Sequence, residues 1–477
     1  MDVEKERDAL IQAFESSQSA LTENAGYYES VRRPTAIGIS TPPQMQELLA
    51  HVGIPRVYIN ALADRLELEG FVIAGKDEAD QDMWDWWQKN DLDVESILGH
   101  TDALVHGRSY VTIAAPDERD PGVDPNVPII RVEPPTALYA KIDPRTRQVT
   151  RAIRPVYNDD GDRITALTLY LPDQTLYFVQ DAGQWVQDGA PVNHNMGMVP
   201  VVPLPNRTRL SDLYGTSEIT PEIRSVTDAA ARIMMNMQAT AELMAVPQRL
   251  LFGVSPEDLG VDPGNPQAVI EAYLARIIAI EDPEAKAQQF SAAELRNFSE
   301  ALDQIMKQAA AYCGLPPQYL SSASDNPASA EAIRASEARL VKNAERKASV
   351  FGAAWEQVMR VAWKVMNPGS EIPPEMFRME AIWRDPSTPT YAAKADAASK
   401  LYANGTGIIP RERARIDMGY TVVEREQMAK WDAEEDPMRQ LGSMYGKPPT
   451  STPAASTDEA AAKAPAEGDT PEAKATE

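Results

Sequence analysis

Gly314-Leu-Pro-Pro-Gln-Tyr-Leu-Ser-Ser-Ala-Ser-Asp-Asn-Pro327 separates two helical stretches, and what flanks it decides the fold. Upstream, Ser291 and Glu294 form a Ser-x-x-Glu capping box that opens a helix ending at Gly314-Leu-Pro-Pro317. Downstream, Pro327 begins a helix that meets no further proline until Asn367-Pro368-Gly369. Its length is about 40 residues, roughly 60 Å at 1.5 Å per residue. Globular helices average about 11–12 residues. A helix this long needs support from more than one small core.

The 477-residue chain is 43% hydrophobic, enough for a sizeable core, and length alone suggests about three domains. One cysteine, Cys313, excludes an internal disulfide framework. No apolar run approaches 18 residues and the Met1-Asp-Val-Glu-Lys5 start lacks a signal-peptide pattern, so a soluble protein is expected. The formal net charge is −25. Tight wrapping of nucleic acid needs Lys and Arg on phosphates, so that class is disfavoured; nucleic acid passing close by without sticking is not.

Along the chain, the first 120 residues read as mixed α/β. Helices are expected over Val3–Leu21, Ile54–Leu66, Asp80–Lys89 and Val94–His106, the last capped by Gly107, with strands at Phe71–Ala74 and Ser109–Ala114. Met83, Trp84 and Trp87 recur at helical spacing and read as core. From about Pro128 to Pro205 the period becomes two: 129–132, 149–156, 165–171 and 175–179 read as an antiparallel meander broken at Asp143-Pro, Asp159-Asp-Gly161 and Pro172-Asp. A long helix is expected from Gly215 to about Ala245. Arg249–Gly253 and Ile277–Glu281 read as strands of a compact insertion. Short helices follow at Tyr391–Ala403, Pro410–Met418 and from Thr421 to about Trp431. The end of the chain, rich in Pro, Ala, Thr, Glu and Lys, cannot bury enough surface to order itself.

Three helices carry narrow apolar seams at alternating steps of three and four: Ile219 to Met244, Leu295 to Tyr312, and Ala344 to Val365. A plain helical bundle explains seams. The mixed charge of the first half of the longest helix (Glu331, Arg334, Glu337, Arg339, Lys342, Glu345, Arg346, Lys347) suits packing against copies of itself in a ring, and also plain exposure.

Catalytic signatures are missing. His51, His100, His106, His194 and Cys313 show no metal-ligand spacing. The sequence contains no phosphate-binding Gly-x-x-x-x-Gly-Lys-Ser/Thr loop and no Gly-x-Ser-x-Gly elbow. Asp77, Glu78, Asp80, Asp82 and Asp85 beside three tryptophans suggest a two-carboxylate carbohydrate site, but an acidic helix face over a Trp core explains the same residues. No cofactor or metal is expected, and no enzyme.

The order of parts resembles the bacteriophage portal protein family typified by tailed phages of Gram-positive and actinobacterial hosts. The resemblance runs to about Pro437 and rests on Val52-Gly-Ile-Pro-Arg-Val-Tyr-Ile-Asn60 with 61–71, Trp87–Thr112 with Asn90-Asp-Leu-Asp93, His194–Pro203, and above all Gly314–Lys347. It implies an α+β, portal-type multidomain fold: a wing at 1–214, stem helices at 215–246 and 291–313, a small α/β clip at 247–290, and a tunnel loop at 314–326. A spine helix at 327–367, a return to the wing at 368–390, a crown at 391–437 and a disordered acidic tail at 438–477 complete it. It implies a ring, usually a dodecamer, at one capsid vertex, with double-stranded DNA passing through its channel. The implied partners are the terminase large subunit, a head–tail connector protein, and major capsid and scaffolding proteins, with no membrane. The implied location is the virion, with assembly in host cytoplasm. The channel-loop candidates are Gln318, Ser321, Ser322, Ser324, Asp325 and Asn326: short neutral groups and one acid, unsuited to gripping phosphates. Ser324 or Asn326 also serves as an ordinary cap for the long helix. Another oligomeric virion connector or head-associated protein, or an enzyme of unrecognised type, are the alternatives.

Overall fold

The computed structural model describes residues 2–31, 50–73, 80–117, 122–161, 163–245, 249–252, 277–280, 295–321, 330–387, 391–402, 407–420 and 422–435. The chain divides into two compact units, Met1–Pro389 and Thr390–Glu477.

In the first unit, α1 (Val3–Tyr28), α2 (Ile54–Ala63), β1 (Leu68–Ile73), α3 (Gln81–Lys89), α4 (Leu92–His106) and β2 (Arg108–Ala114) come in the expected order. Asp80 caps α3 by accepting the Met83 N–H. Gly107 ends α4 with φ +92°. The meander is a six-stranded antiparallel sheet, β4 (Tyr139–Ile142) through β5 (Val149–Tyr157), β6 (Ile164–Tyr170) and β7 (Gln174–Asp181) to β8 (Gln184–Gln187), with β9 (Val192–Asn193) also on β7. One face of it packs Ile153, Leu167, Leu169, Leu176 and Phe178 against Leu10 and Phe14 of α1. A separate sheet orders β10 (Val201–Pro205), β2 and β3 (Ile129–Glu133).

The long helices are α5 (Pro221–Ala245), α6 (Leu295–Cys313) and α7 (Ala330–Met366). Residues 291–294 and 327–329, where the sequence places the starts of α6 and α7, lie outside the described residues. α7 has 37 residues, about 55 Å. Its second half is core: Phe351, Trp355, Val358, Met359 and Ala362 are buried. Trp355 meets Trp87 edge-on at 4.8 Å, and Trp87 stacks on Trp84 at 5.9 Å, so Trp87 is core as expected while Trp84 is half-buried against it. After α7 the chain returns as β13 (Met379–Trp383), antiparallel to β1. β11 (Arg249–Phe252) and β12 (Ile277–Ile280) form a parallel pair. The rest of 247–290 lies outside the described residues, as do 403–406, 421 and 436–477.

One boundary is corrected. The helix expected from Gly215 starts at Pro221. Residues 216–218 are stitched sideways instead: Thr216 N–H to Asn206 O (3.0 Å), Ser217 Oγ to Val105 O (2.5 Å) and Glu218 N–H to Leu104 O (2.9 Å). Gly215 at φ +86° is not helical, and Pro221 supplies the first helical residue.

The second unit holds α8 (Tyr391–Tyr402), α9 (Arg411–Met418) and α10 (Val422–Glu435). Gly419 caps α9 at φ +91°, and Asp432 pairs with Arg411 (2.9 Å) and Arg415 (2.7 Å).

His100 on α4 is fully buried, stacked on Phe351 at 5.0 Å, and its Nε2 accepts the Trp355 indole N–H at 2.8 Å. An accepting Nε2 requires the neutral ring. Burial lowers its pKa to about 3. Between about pH 6.5 and 3 the unfolded chain therefore binds one proton more than the folded one, and stability is lost as pH falls, by ~1.4 kcal/mol per unit. His106, lowered to about 4 by burial and then by Arg108, acts in the same direction; Asp102, raised to about 6 by burial, opposes both. His100→Gln keeps an acceptor for Trp355 and removes one titration. Its unfolding free energy between pH 6.5 and 4 is expected to fall less steeply than the parent's by about one proton; equal slopes in denaturant titrations would refute the assignment.

Candidate functional site

The candidate loop leaves α6 at an elbow. Gly314 takes φ +67°, and a Cβ there would come within 3.0 Å of the Arg339 side chain of α7, whose Nη1 donates to Ala311 O at 3.2 Å. A single 3₁₀ turn, Pro317–Tyr319, follows. Of the six candidate residues, the structure describes two. Gln318 is exposed on that turn, with Nε2 3.3 Å from Ser336 Oγ. Ser321 donates to Asp303 Oδ1 at 2.5 Å. Asp303 also pairs with Lys307 at 2.6 Å, and the bonds from Lys307 and then Ser321 hold its carboxyl below the usual range. Both ends of the elbow are thus tied to the flanking helices. Ser322, Ser324, Asp325 and Asn326 lie outside the described residues.

Tyr319 anchors the turn to α7 by donating to Glu337 Oε1 at 2.8 Å, with Arg65, just after α2, 3.6 Å from the same carboxylate. Below it lies a buried polar junction. The Lys347 ammonium of α7 pairs with Glu218 Oε1 and donates to Asn206 Oδ1 at 2.6 Å. Asn206 Nδ2 donates to Glu218 Oε1 (2.9 Å) and Thr216 O (2.7 Å), and Tyr58 OH donates to Glu218 Oε2 at 2.8 Å. Burial alone would raise the Glu218 pKa; the Lys347 charge and the donors outweigh it and hold the carboxyl low. Burial, then Glu218, raises Tyr58 and pushes the Cys313 thiol up to about 12. Cys313 is therefore an inert buried thiol.

This junction corrects one expectation. Among the mixed charges on α7, Glu337 and Lys347 do not await a neighbour; each is paired within its own chain. The available signal was position: Lys347 falls on the apolar track between Ala344 and Phe351, and Glu337 precedes Leu340 by three. A charge on an apolar seam signals a buried partner, but the sequence does not say which.

The seams of α5 and α6 are only partly covered within one chain. Ile233, Met234 and Met237 on α5, and Leu302, Ile305 and Met306 on α6, are half-buried, although the two helices pack together. Among the described residues no three His, Cys, Asp or Glu side chains form a metal cluster, and no helix is long and apolar enough to cross a membrane.

The family model for phage portal proteins of the SPP1 Gp6-like kind matches residues 8–439. The chain is 62% identical over 447 residues to the portal protein of Mycobacterium phage D29, covering 93% of this chain and 92% of that one. It is 61% identical over 447 residues to the portal protein of Mycobacterium phage L5, with the same coverage. Among solved structures, a chain in the neck of a native GTA particle, computed with C12 symmetry, matches at 14% identity and a TM-score of 0.38, over 81% of this chain and 95% of that one.

Proposed function

The chain belongs to the phage portal protein family of the SPP1 Gp6-like kind, a family of virion components at the capsid, and from that premise we propose that it assembles into a closed ring, a dodecamer, whose channel passes double-stranded DNA. The role is mechanical and no step of it is catalytic. The observation that supports the reading best is the half-covered apolar surface of the α5–α6 pair. A lone protomer leaves it wet, while neighbours around an axis would bury it. In this reading α5 and α6 are the stem, α7 is the spine, 247–290 is the clip and 391–437 is the crown. The clip meets the terminase large subunit and later the head–tail connector; the wing meets capsid and scaffolding proteins. Negative-stain microscopy of the purified chain is expected to show closed rings with an axial hole. Monomers at every ionic strength would overturn the ring.

In this reading the elbow sets a loop, residues 314–326, towards the channel, and its sequence carries no Lys or Arg to hold phosphates. Asp325→Lys would put one cation per subunit on the DNA path. Rings are expected to form as before, while packaged DNA per head falls roughly tenfold or more as lysines grip the backbone. Unchanged packaging would place the loop away from DNA.

A further inference from the structure

We propose that an arginine-rimmed cavity on the flank of α7 is a socket for a second copy of this chain, filled by the exposed face of that copy's α4. The inference rests on the ring reading and adds which surfaces meet. The cavity is open, about 640 Å³, and its walls include Arg147, Arg207, Arg209, Leu210, Val350 and Ala353. Three separate parts of the chain build it. Arg147 stands at φ +59° in the β4–β5 turn, where its N–H donates to Asp143 O at 2.7 Å. Arg207 sends Nε to Asp212 O at 2.7 Å, which shapes the loop after β10 and leaves Leu210 85% exposed. Val350 and Ala353 come from the middle of α7.

Arg147 and Arg209 are paired with no carboxylate among the described residues. In a chain with 71 acidic side chains against 46 basic ones, two such cations at a cavity are charge held for something outside the protomer. The apolar walls choose between ligands. A phosphate backbone would gain nothing from Leu210, Val350 and Ala353, whereas an amphipathic helix gains from both halves.

Such a helix lies on the same chain. α4 leaves Val94 (61%), Ile97 (37%) and Leu98 (57%) exposed at positions i, i+3 and i+4, one apolar stripe left uncovered by the described residues. At 100° per residue along the helix, Glu95 falls at one edge of that stripe. An apolar stripe with an acidic edge matches an apolar cavity with a basic rim. Socket and stripe share no residue, so one copy can use both at once, the arrangement a head-to-tail contact repeating around a ring requires.

The test uses the full-length chain and first asks whether the parent forms rings. Leu210→Cys combined with Leu98→Cys, oxidised in the ring, is expected to give a ladder of cross-linked multimers on a non-reducing gel. Neither single variant should do so, because the native Cys313 is buried. Arg209→Glu and Glu95→Arg are each expected to cut the ring fraction at least about tenfold, and their combination to restore it, since charge reversal on both sides re-creates the pair. The restored double variant also shows that the single changes did not simply prevent folding. If parent rings form but no ladder appears and Arg209→Glu assembles normally, the socket is refuted while the ring stands. If Arg209→Glu assembles normally and instead weakens binding of a DNA duplex, the cavity is a phosphate site and the proposal is overturned. If the parent forms no ring, the ring reading falls first and this inference with it.

Discussion

Lys347→Met is expected to cost about 3–5 kcal/mol of unfolding free energy, because it leaves the Glu218 carboxylate buried without its cation. Asn206 and Tyr58 still donate to Glu218, but two neutral hydrogen bonds do not replace an ammonium. Glu218→Gln added to Lys347→Met should recover more than half of the loss, since no charge is then left behind. The pH dependence follows from the direction of the Glu218 shift. In the parent the folded carboxyl is lower than in the unfolded chain, so its contribution is present above about pH 4.5 and lost as pH falls below it. Without Lys347, burial raises the same carboxyl, and the variant regains stability by taking up a proton as pH falls. The gap between parent and variant is therefore expected to be widest near pH 8 and narrower at pH 5. Denaturant titrations at the two pH values measure it. A gap independent of pH, or a double variant no better than the single, would mean the pair contributes through packing alone.

The junction also shows where sequence reading stops. Local signals placed the elements whose causes are local. Gly107 ends α4 because a glycine takes positive φ there, Asp80 caps α3, and the two-residue period marks β5 to β7. Errors arise where the cause lies far along the chain. α1 runs seven residues beyond Leu21, and the added turns are held by Asn24 accepting from Arg224 (2.5 Å) and Tyr27 donating to Asp228 (3.1 Å), both some 200 residues away. β1 is longer than the expected Phe71–Ala74 on its N-terminal side because β13, more than 300 residues on, supplies its ladder. Charge on α7 reads as solvent-facing or neighbour-facing until Glu218 and Arg65 are seen beneath it. The candidate loop itself was legible only as composition and flanks. Its first residues prove to be fixed by Asp303 and Ser336, partners a loop's own sequence does not name.

Gly215→Ala is expected to be strongly destabilising. Gly215 has φ +86°, and an alanine Cβ there would stand 1.8 Å from the Gly107 carbonyl oxygen. That oxygen accepts the Asn206 N–H at 2.8 Å, and the Asn206 side chain holds both Lys347 and Glu218. Neither backbone can yield without breaking that bond, because Gly107 is itself at φ +92° and its own Cβ would meet Gly215 O at 3.0 Å. Left-handed backbone alone costs an alanine ~1–2 kcal/mol. Displacing the carbonyl adds the lost hydrogen bond and strain at the ion pair, and the sum passes the ~4–5 kcal/mol that marks an exceptional substitution. Gly189→Ala is the matched control. Its φ is +73°, but nothing stands within 4 Å of the added Cβ, so only the conformational part applies. The expected result is soluble Gly189→Ala protein with a small fall in thermal midpoint, and Gly215→Ala protein that is insoluble or melts many degrees lower. The two glycines then separate conformational strain from close approach. Similar midpoints for both would show that the end of α4, the end of β10 and the segment leading into α5 are not locked backbone to backbone. α7, joined to that lock through Lys347, would then be held to β10 and α4 by side chains alone.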